Sequence, residues 1–394
     1  MGTPSVDDVV ARSHRFVVPP AMPPRRFDRV AITCVFGEPR DPKAWSGAPN
    51  NVASGLERLG VTVESIYPRP SRLERLGIAA RYLTAGYGWP ESTEQIRRSA
   101  PSRRRYAGRA GQLAAHLGVR HILHTGAFDL PPQDPASGIK HYLYCDHTWA
   151  LSVRHRADAA RLPSRAVRDY ECLERDALHG LEHVFTFGRY VRDNLIEHYG
   201  LSPTRVTAVG SGMGSIQPYD GAKDYARPHL LFVAKHLFVA KGGALLCEAF
   251  AIACRTRPDL RLTIVGDERS HRLVPRHPNI ILRSHLPWPE LERLYREATV
   301  LAQPMLNDPW GQVYLEALVS RTPVIGLRRN GLPEIVRDGR YGFLVDQADP
   351  GALANVLLEA MSDPARLARM GQEGQQHVRD TYSWDRVAAQ IAWL

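Results

Sequence analysis

Short apolar runs rich in β-branched and aromatic residues alternate along this chain with longer stretches whose apolar positions recur every three or four residues. The first pattern predicts buried strands and the second predicts helices packed against them. In the first half the strands fall at 29–36, 61–67, 119–124, 140–145, 183–187 and 205–209. Helices fill 50–59, 93–117, 164–179 and 189–199. The segment SIQPYDGAKDYARP, residues 215–228, is polar, holds two prolines and has no period, so it reads as a linker. A second series follows, with strands at 229–234, 260–266, 279–283, 299–304 and 322–326, and helices near 242–257, 289–298, 312–320 and 350–361. Residues 375–393 are helical in pattern and are expected to cross back onto the first half.

Strands alternating with helical patterns predict an α/β fold with mostly parallel strands. Two Rossmann-like doubly wound domains are expected, residues 1–214 and 229–374, joined by 215–228 and followed by the helix within 375–394. Ligands in such sheets bind beyond the carboxyl ends of the strands, so two facing domains leave a cleft between them. The length agrees, since 394 residues suit two cores better than one.

Composition narrows the class. Hydrophobic residues at 44% and charged residues at 23% are those of a globular protein. No apolar run approaches the roughly 20 residues of a membrane span, and the first 20 residues lack the pattern of a secretory signal. Five scattered cysteines without a C-x-x-C pair read as buried thiols in a reducing compartment. A cytoplasmic protein is expected. The formal charge of +10 favours anionic partners. Much of it sits in EQIRRSAPSRRRYAGRAGQLAAHLG, where Arg97, Arg98, Arg103, Arg104, Arg105 and Arg109 form a stretch suited to an anionic inner-membrane surface, or simply a solvated face. No nucleic-acid motif accompanies the charge.

The candidate chemistry lies in NDPWGQVYLEALVSRTPVIG, residues 307–326. A strand ends, a loop with Asp308 and Gly311 follows, and a helix begins with Glu316 about one turn inside it. A glycine lets backbone amides approach a ligand, and a helix N-terminus favours negative charge. Acids at these two places can accept hydrogen bonds from vicinal hydroxyls, or they can be a cap and a solvated residue.

Here the chain resembles the retaining GT-B glycosyltransferases of the large glycosyltransferase family 4, which includes enzymes of sucrose, trehalose and mannosyl-lipid synthesis. That family carries two Glu separated by seven residues. This sequence has DPWGQVYLEA, with Asp308 in the first position and Glu316 in the second, followed by GLPEIVRDGRYGFLV at 331–345. Upstream, LLFVAKHLFVAKGGALLCEAF places Lys235 and Lys241 at the family's two cationic positions. The resemblance covers residues 205–390.

The resemblance implies a site for a nucleoside-diphosphate sugar, with a UDP- or GDP-sugar expected. Lys235 and Lys241 would hold the diphosphate and stabilise its departure. Glu316 would hold the ribose; Asp308, with Trp310, Gly311 and Gln312, would hold the sugar. Residues near Arg283 and Leu286 would meet the base. Asp is one methylene shorter than Glu, which implies a changed fit to the sugar.

In the first half, FGEPRDPKAWSGAPNNVASGLERLG resembles the family's glycine-containing loop, and Gly47 would approach the donor phosphates. HYLYCDHTWALS resembles the strand end that carries functional residues, so Asp146 or His147 would face the acceptor or the sugar. The implied reaction moves a sugar to a hydroxyl of a carbohydrate or glycoconjugate with retention of anomeric configuration. No D-x-D or H-E-x-x-H spacing appears, so neither a metal nor another cofactor is expected. The alternatives are a GT-B phosphorylase or epimerase, or a non-catalytic protein that binds nucleotide sugars. Phosphate consumption would mark the first, and binding without turnover the last.

Overall fold

The computed structural model describes residues 25–131, 138–234, 237–284 and 286–393. It contains two six-stranded sheets, all of whose strand pairs are parallel. The first is built from β1 (Arg29–Cys34), β2 (Thr62–Ile66), β3 (His121–Thr125), β4 (Lys140–Cys145), β5 (His183–Thr186) and β6 (Val206–Ala208), in the order β2-β1-β3-β4-β5-β6. The second holds β7 (His229–Ala234), β8 (Arg261–Gly266), β9 (Ile280–Arg283), β10 (Val300–Ala302), β11 (Val324–Leu327) and β12 (Gly342–Val345), in the order β12-β11-β10-β7-β8-β9.

These orders locate ligands. The direction of winding reverses between β1 and β3 in the first sheet and between β7 and β10 in the second. Crevices in open α/β sheets form outside the carboxyl ends of strands at such reversals. The central strands are buried on both faces rather than alternating because helices cover the sheets, whereas the edge strands β2 and β9 are largely open. β5, β10 and β11 are buried along their whole length.

The last helix, Trp384–Trp393, lies against the helix Ala48–Arg58 of the first sheet. A Cβ at Gly55 would stand 2.6 Å from Cβ of Ala388, so only glycine admits this approach. Trp384 Nε1 donates to the Met213 carbonyl at 2.9 Å, and Arg58 pairs with Asp385.

Three local departures from the sequence pattern have physical causes. The helix expected over 93–117 breaks at Ser99 into Thr93–Arg98 and Ala100–His116, with Ser99 extended (φ −67°, ψ 151°) and a proline in the first turn of the second helix. The helix expected over 375–393 is interrupted after Thr381, which ends the helix Pro364–Thr381. The helix Arg72–Thr84 gave no clear stripe because it is apolar on two faces: Ile78 and Tyr82 are buried, while Leu73, Leu76 and Leu83 point outward. Its N-terminus is closed by a capping box between Ser71 and Glu74.

The arginine stretch is only partly a surface. Arg98 and Arg103 are buried, Arg97 lies over the Phe36 ring, and Arg105 and Arg109 pair with Glu74. Helical spacing turns some of these side chains inward, so the expected continuous basic patch loses two of its six members. Among the cysteines, Cys172 is exposed rather than buried.

Candidate active site

The loops leaving β7 and β10 are sewn together. The Leu306 and Asn307 amides donate to the Ala240 carbonyl at 2.9 and 3.0 Å. Such closeness requires glycine after Lys241: Gly242 has φ +83°, and a Cβ there would lie 1.9 Å from the Pro304 oxygen. The sequence K-G-G therefore brings Lys241 onto Asp308. Its ammonium donates to Asp308 Oδ2 at 2.9 Å. The other oxygen, Oδ1, accepts from the Trp310 amide at 3.3 Å and the Gly311 amide at 3.0 Å. Burial acts to raise the Asp308 pKa, but the Lys241 charge and hydrogen bond, with the two amides, outweigh it and hold the carboxylate below its ordinary value. Gly311, at φ +79°, opens the helix Gln312–Val319.

Glu316 is 6% exposed. Tyr295 donates its hydroxyl to Oε2 at 2.9 Å, and Gly214 presses close enough that a Cβ would stand 2.6 Å from Oε1. Burial raises its pKa, against the opposing effects of the Tyr295 hydrogen bond and the Lys241 charge. Glu316 is thus an inward-facing carboxylate, not a solvated helix residue.

Across the cleft, the β1 loop ends in three consecutive left-handed residues, Trp45 (φ 43°), Ser46 (φ 57°) and Gly47 (φ 80°). Gly47 opens the helix Ala48–Arg58. Left-handed geometry costs about 1–2 kcal/mol at a non-glycine residue. Trp45 is held by packing against Tyr144 and Phe187. Asp146 and His147 follow β4 and, with Trp45, Phe36 and Arg98, line a small cavity of ≈ 50 Å³. Burial first, then the negative charge of Asp308, push the Asp146 carboxyl up to about 7. The two acids from opposite domains therefore sense one another. Burial, with Arg98, His155 and Arg156 adding to it, pushes His147 down to about 3, so its imidazole is neutral. Its Nδ1 is buried without a hydrogen-bond partner among the described residues.

Several contacts between the domains were not legible in the sequence. The Tyr190 hydroxyl lies 2.6 Å from the Asp146 carbonyl and 2.8 Å from that of Pro309, sharing its proton between the two strand-end loops. Glu334, from the GLPEIV segment, accepts from the Arg189 and Tyr190 amides at 2.9 and 2.7 Å. A residue of the second domain thereby caps the helix Arg189–Glu197 of the first. Behind the cavity, Arg98 lies 4.8 Å from both the Phe128 and Trp149 rings and bonds Glu94. Glu174 accepts from the Trp149 amide and the Tyr199 hydroxyl.

The indole of Trp310 is buried at the seam between domains. Its Nε1 donates to Ser211 at 2.7 Å, and the ring packs on Phe187 and Tyr382. Gln312 likewise donates to the Gly212 carbonyl at 2.8 Å. Arg283 is exposed at the end of edge strand β9, and Leu286 is half-buried beside the core. Lys235 lies outside the described residues. Among those residues no group of three or more His, Cys, Asp or Glu side chains could hold a metal ion, and no helix is long and apolar enough to cross a membrane.

Two facing Rossmann-like domains with the candidate residues on their strand-end loops define a GT-B fold. Residues 221–377 match the family model for "Glycosyl transferases group 1". The D-inositol 3-phosphate glycosyltransferase of Corynebacterium glutamicum is 32% identical over 226 residues, covering 51% of this chain and 54% of that protein. The chain thus spans about half the length of the curated relatives it matches. Over nearly the whole fold it is similar to sucrose-phosphate synthase from Thermosynechococcus elongatus, with TM-score 0.70, 17% identity, and 92% and 97% of the two chains covered. HepE of Anabaena, solved with UDP-glucose, gives TM-score 0.61 at 15% identity, covering 92% and 98%.

Proposed function

We propose that the protein is a retaining glycosyltransferase that moves a hexose from a nucleoside-diphosphate sugar to a hydroxyl of a carbohydrate or glycoconjugate. Residues 229–374 hold the donor and residues 1–214 read the acceptor. The observation that carries this reading is the juxtaposition of Lys241, Asp308 and the Gly311 amide at one sheet reversal, with Asp146 facing them from the other sheet. The group 1 match over the second domain and the UDP-glucose complex of a protein with the same fold support it.

In this account Lys241 exchanges its bond to Asp308 for one to the donor diphosphate. Lys235 joins it, and Gly47 brings the first domain's loop toward the same phosphates. The freed Asp308 accepts from sugar hydroxyls, Glu316 accepts from the ribose, and Arg283 and Leu286 flank the base. Trp310 and Gln312 act by fixing the loop, since their side chains bond the segment at 211–212. The bond from the anomeric carbon to the phosphate oxygen breaks as the acceptor oxygen bonds to that carbon on the same face. The acceptor proton passes to the departing phosphate oxygen. Asp146 or the neutral His147 orients the acceptor hydroxyl. Cationic and amide stabilisation of the developing diphosphate charge is the main source of rate.

A thermal-shift panel of UDP, GDP, ADP and TDP tests the donor site, because a ligand that binds only the folded state raises Tm by mass action. UDP or GDP is expected to give the largest shift. Absence of a shift with all four, in folded protein, removes the donor assignment.

A further inference from the structure

The helix Arg72–Thr84 carries a second apolar face that nothing among the described residues covers. Leu73 is 82% exposed, Leu76 68%, and Trp89, in the loop that follows, 83%. Leu83 is exposed on the same side. A soluble surface tolerates single exposed leucines, but a grouped set on one helix marks a contact surface. Arg72, Arg75 and Arg81 rise from the same helix and are exposed; among the described residues they form no ion pair. The helix's one acid, Glu74, is already taken by Arg105 and Arg109.

We infer that this face docks on an anionic bilayer surface, with the helix lying in the plane of the interface. An apolar stripe with an aromatic at its end and unpaired arginines at its rim is what such a surface selects, the leucines entering the acyl boundary and the guanidiniums meeting headgroup phosphates. A second copy of the chain fits less well, because a twofold contact through this face would bring two unpaired arginine rims together. The placement also has a use. The helix follows the carboxyl end of β2, the end of the first sheet that carries the β1 loop and Asp146. A chain docked here presents its acceptor-side cleft to molecules held at the membrane. Arg98 and Arg103 of the neighbouring stretch are buried and take no part.

The test is cosedimentation of the full chain with vesicles of phosphatidylcholine alone and of phosphatidylcholine mixed with phosphatidylglycerol, whose anionic headgroups attract basic segments. The native chain should bind the anionic vesicles and release at high salt. Leu73→Ser with Leu76→Ser should weaken that binding at least tenfold without changing Tm, because both residues are exposed. Arg72→Gln with Arg75→Gln should weaken binding to anionic vesicles and reduce its salt dependence. No binding by the native chain, or equal binding by the serine variant, overturns the inference. So does a native dimer that the serine variant converts to monomer, which would give the face to a second copy. None of these readings depends on sugar transfer.

Discussion

Asp308→Asn separates the two roles assigned to the loop after β10. The Lys241 ammonium and Asp308 Oδ2 are 2.9 Å apart, and the side chains are 20% and 27% exposed. At an effective dielectric of about 20 the bare attraction is roughly 6 kcal/mol. Desolvation and partial exposure offset most of it, leaving about 1–2 kcal/mol. A diphosphate must displace that bond to reach Lys241. Asparagine keeps an oxygen for the Trp310 and Gly311 amides but gives up the charge. The variant should therefore bind a bare nucleoside diphosphate about tenfold more tightly, at 1.4 kcal/mol per decade. The sugar nucleotide responds differently, since a charge-assisted bond to a sugar hydroxyl, worth about 1.5–3 kcal/mol, is lost. Isothermal titration with the diphosphate and its sugar, on native and variant protein, should show the affinity ratio moving at least tenfold toward the diphosphate. Equal weakening of both ligands would make Asp308 a structural cap and refute the reasoning.

Asp146, held at about 7 by burial and by Asp308, has a folded value above the unfolded one near 4. The stability contributed by its neutral form is fully present below about pH 4 and is lost as pH rises through 7; Asp146→Asn should flatten the dependence of Tm on pH between these values, and an unchanged slope would contradict the assignment. Glu316→Ala should weaken nucleotide binding about tenfold, by loss of a charged acceptor, measured by the same titration. Gly242→Ala should cost more than about 1 kcal/mol through its left-handed backbone alone, with further loss from the collision at the Pro304 oxygen, read by urea unfolding. Arg103 is 4% exposed, and its guanidinium has no hydrogen-bond partner among the described residues. Its Nη2 faces the buried Glu174 carboxylate at 3.8 Å, so Arg103→Met should cost about 3–5 kcal/mol by stranding that buried charge; unchanged or raised stability would contradict that view.

The fold class was legible because parallel strands covered on both faces read as short apolar runs, as β10 and β11 do. Asp308 and Glu316 were candidates from the strand-loop-helix pattern around Gly311. That pattern alone left a cap and a solvated residue equally open, and the family resemblance decided between them. Lys241 was a candidate through that resemblance only. Tyr190, Glu334 and Glu174 were not legible. Their partners lie far along the chain, as with Glu334 and the Tyr190 amide, and a side chain that caps another domain's helix looks like any surface acid in sequence. Trp310 shows the same limit: its motif pointed to the donor loop, and only the tertiary structure places its ring between the domains. The two-faced helix Arg72–Thr84 escaped because a helix apolar on opposite sides has no single stripe.

The central claim is transfer with retention from a nucleoside-diphosphate sugar. The most direct measurement follows the anomeric proton by NMR as the full chain slowly hydrolyses the donor selected by the binding panel. The account predicts that the first sugar released has the donor's own anomeric configuration, with nucleoside diphosphate appearing in step. Release of the inverted anomer, or binding with no bond cleavage, would contradict it.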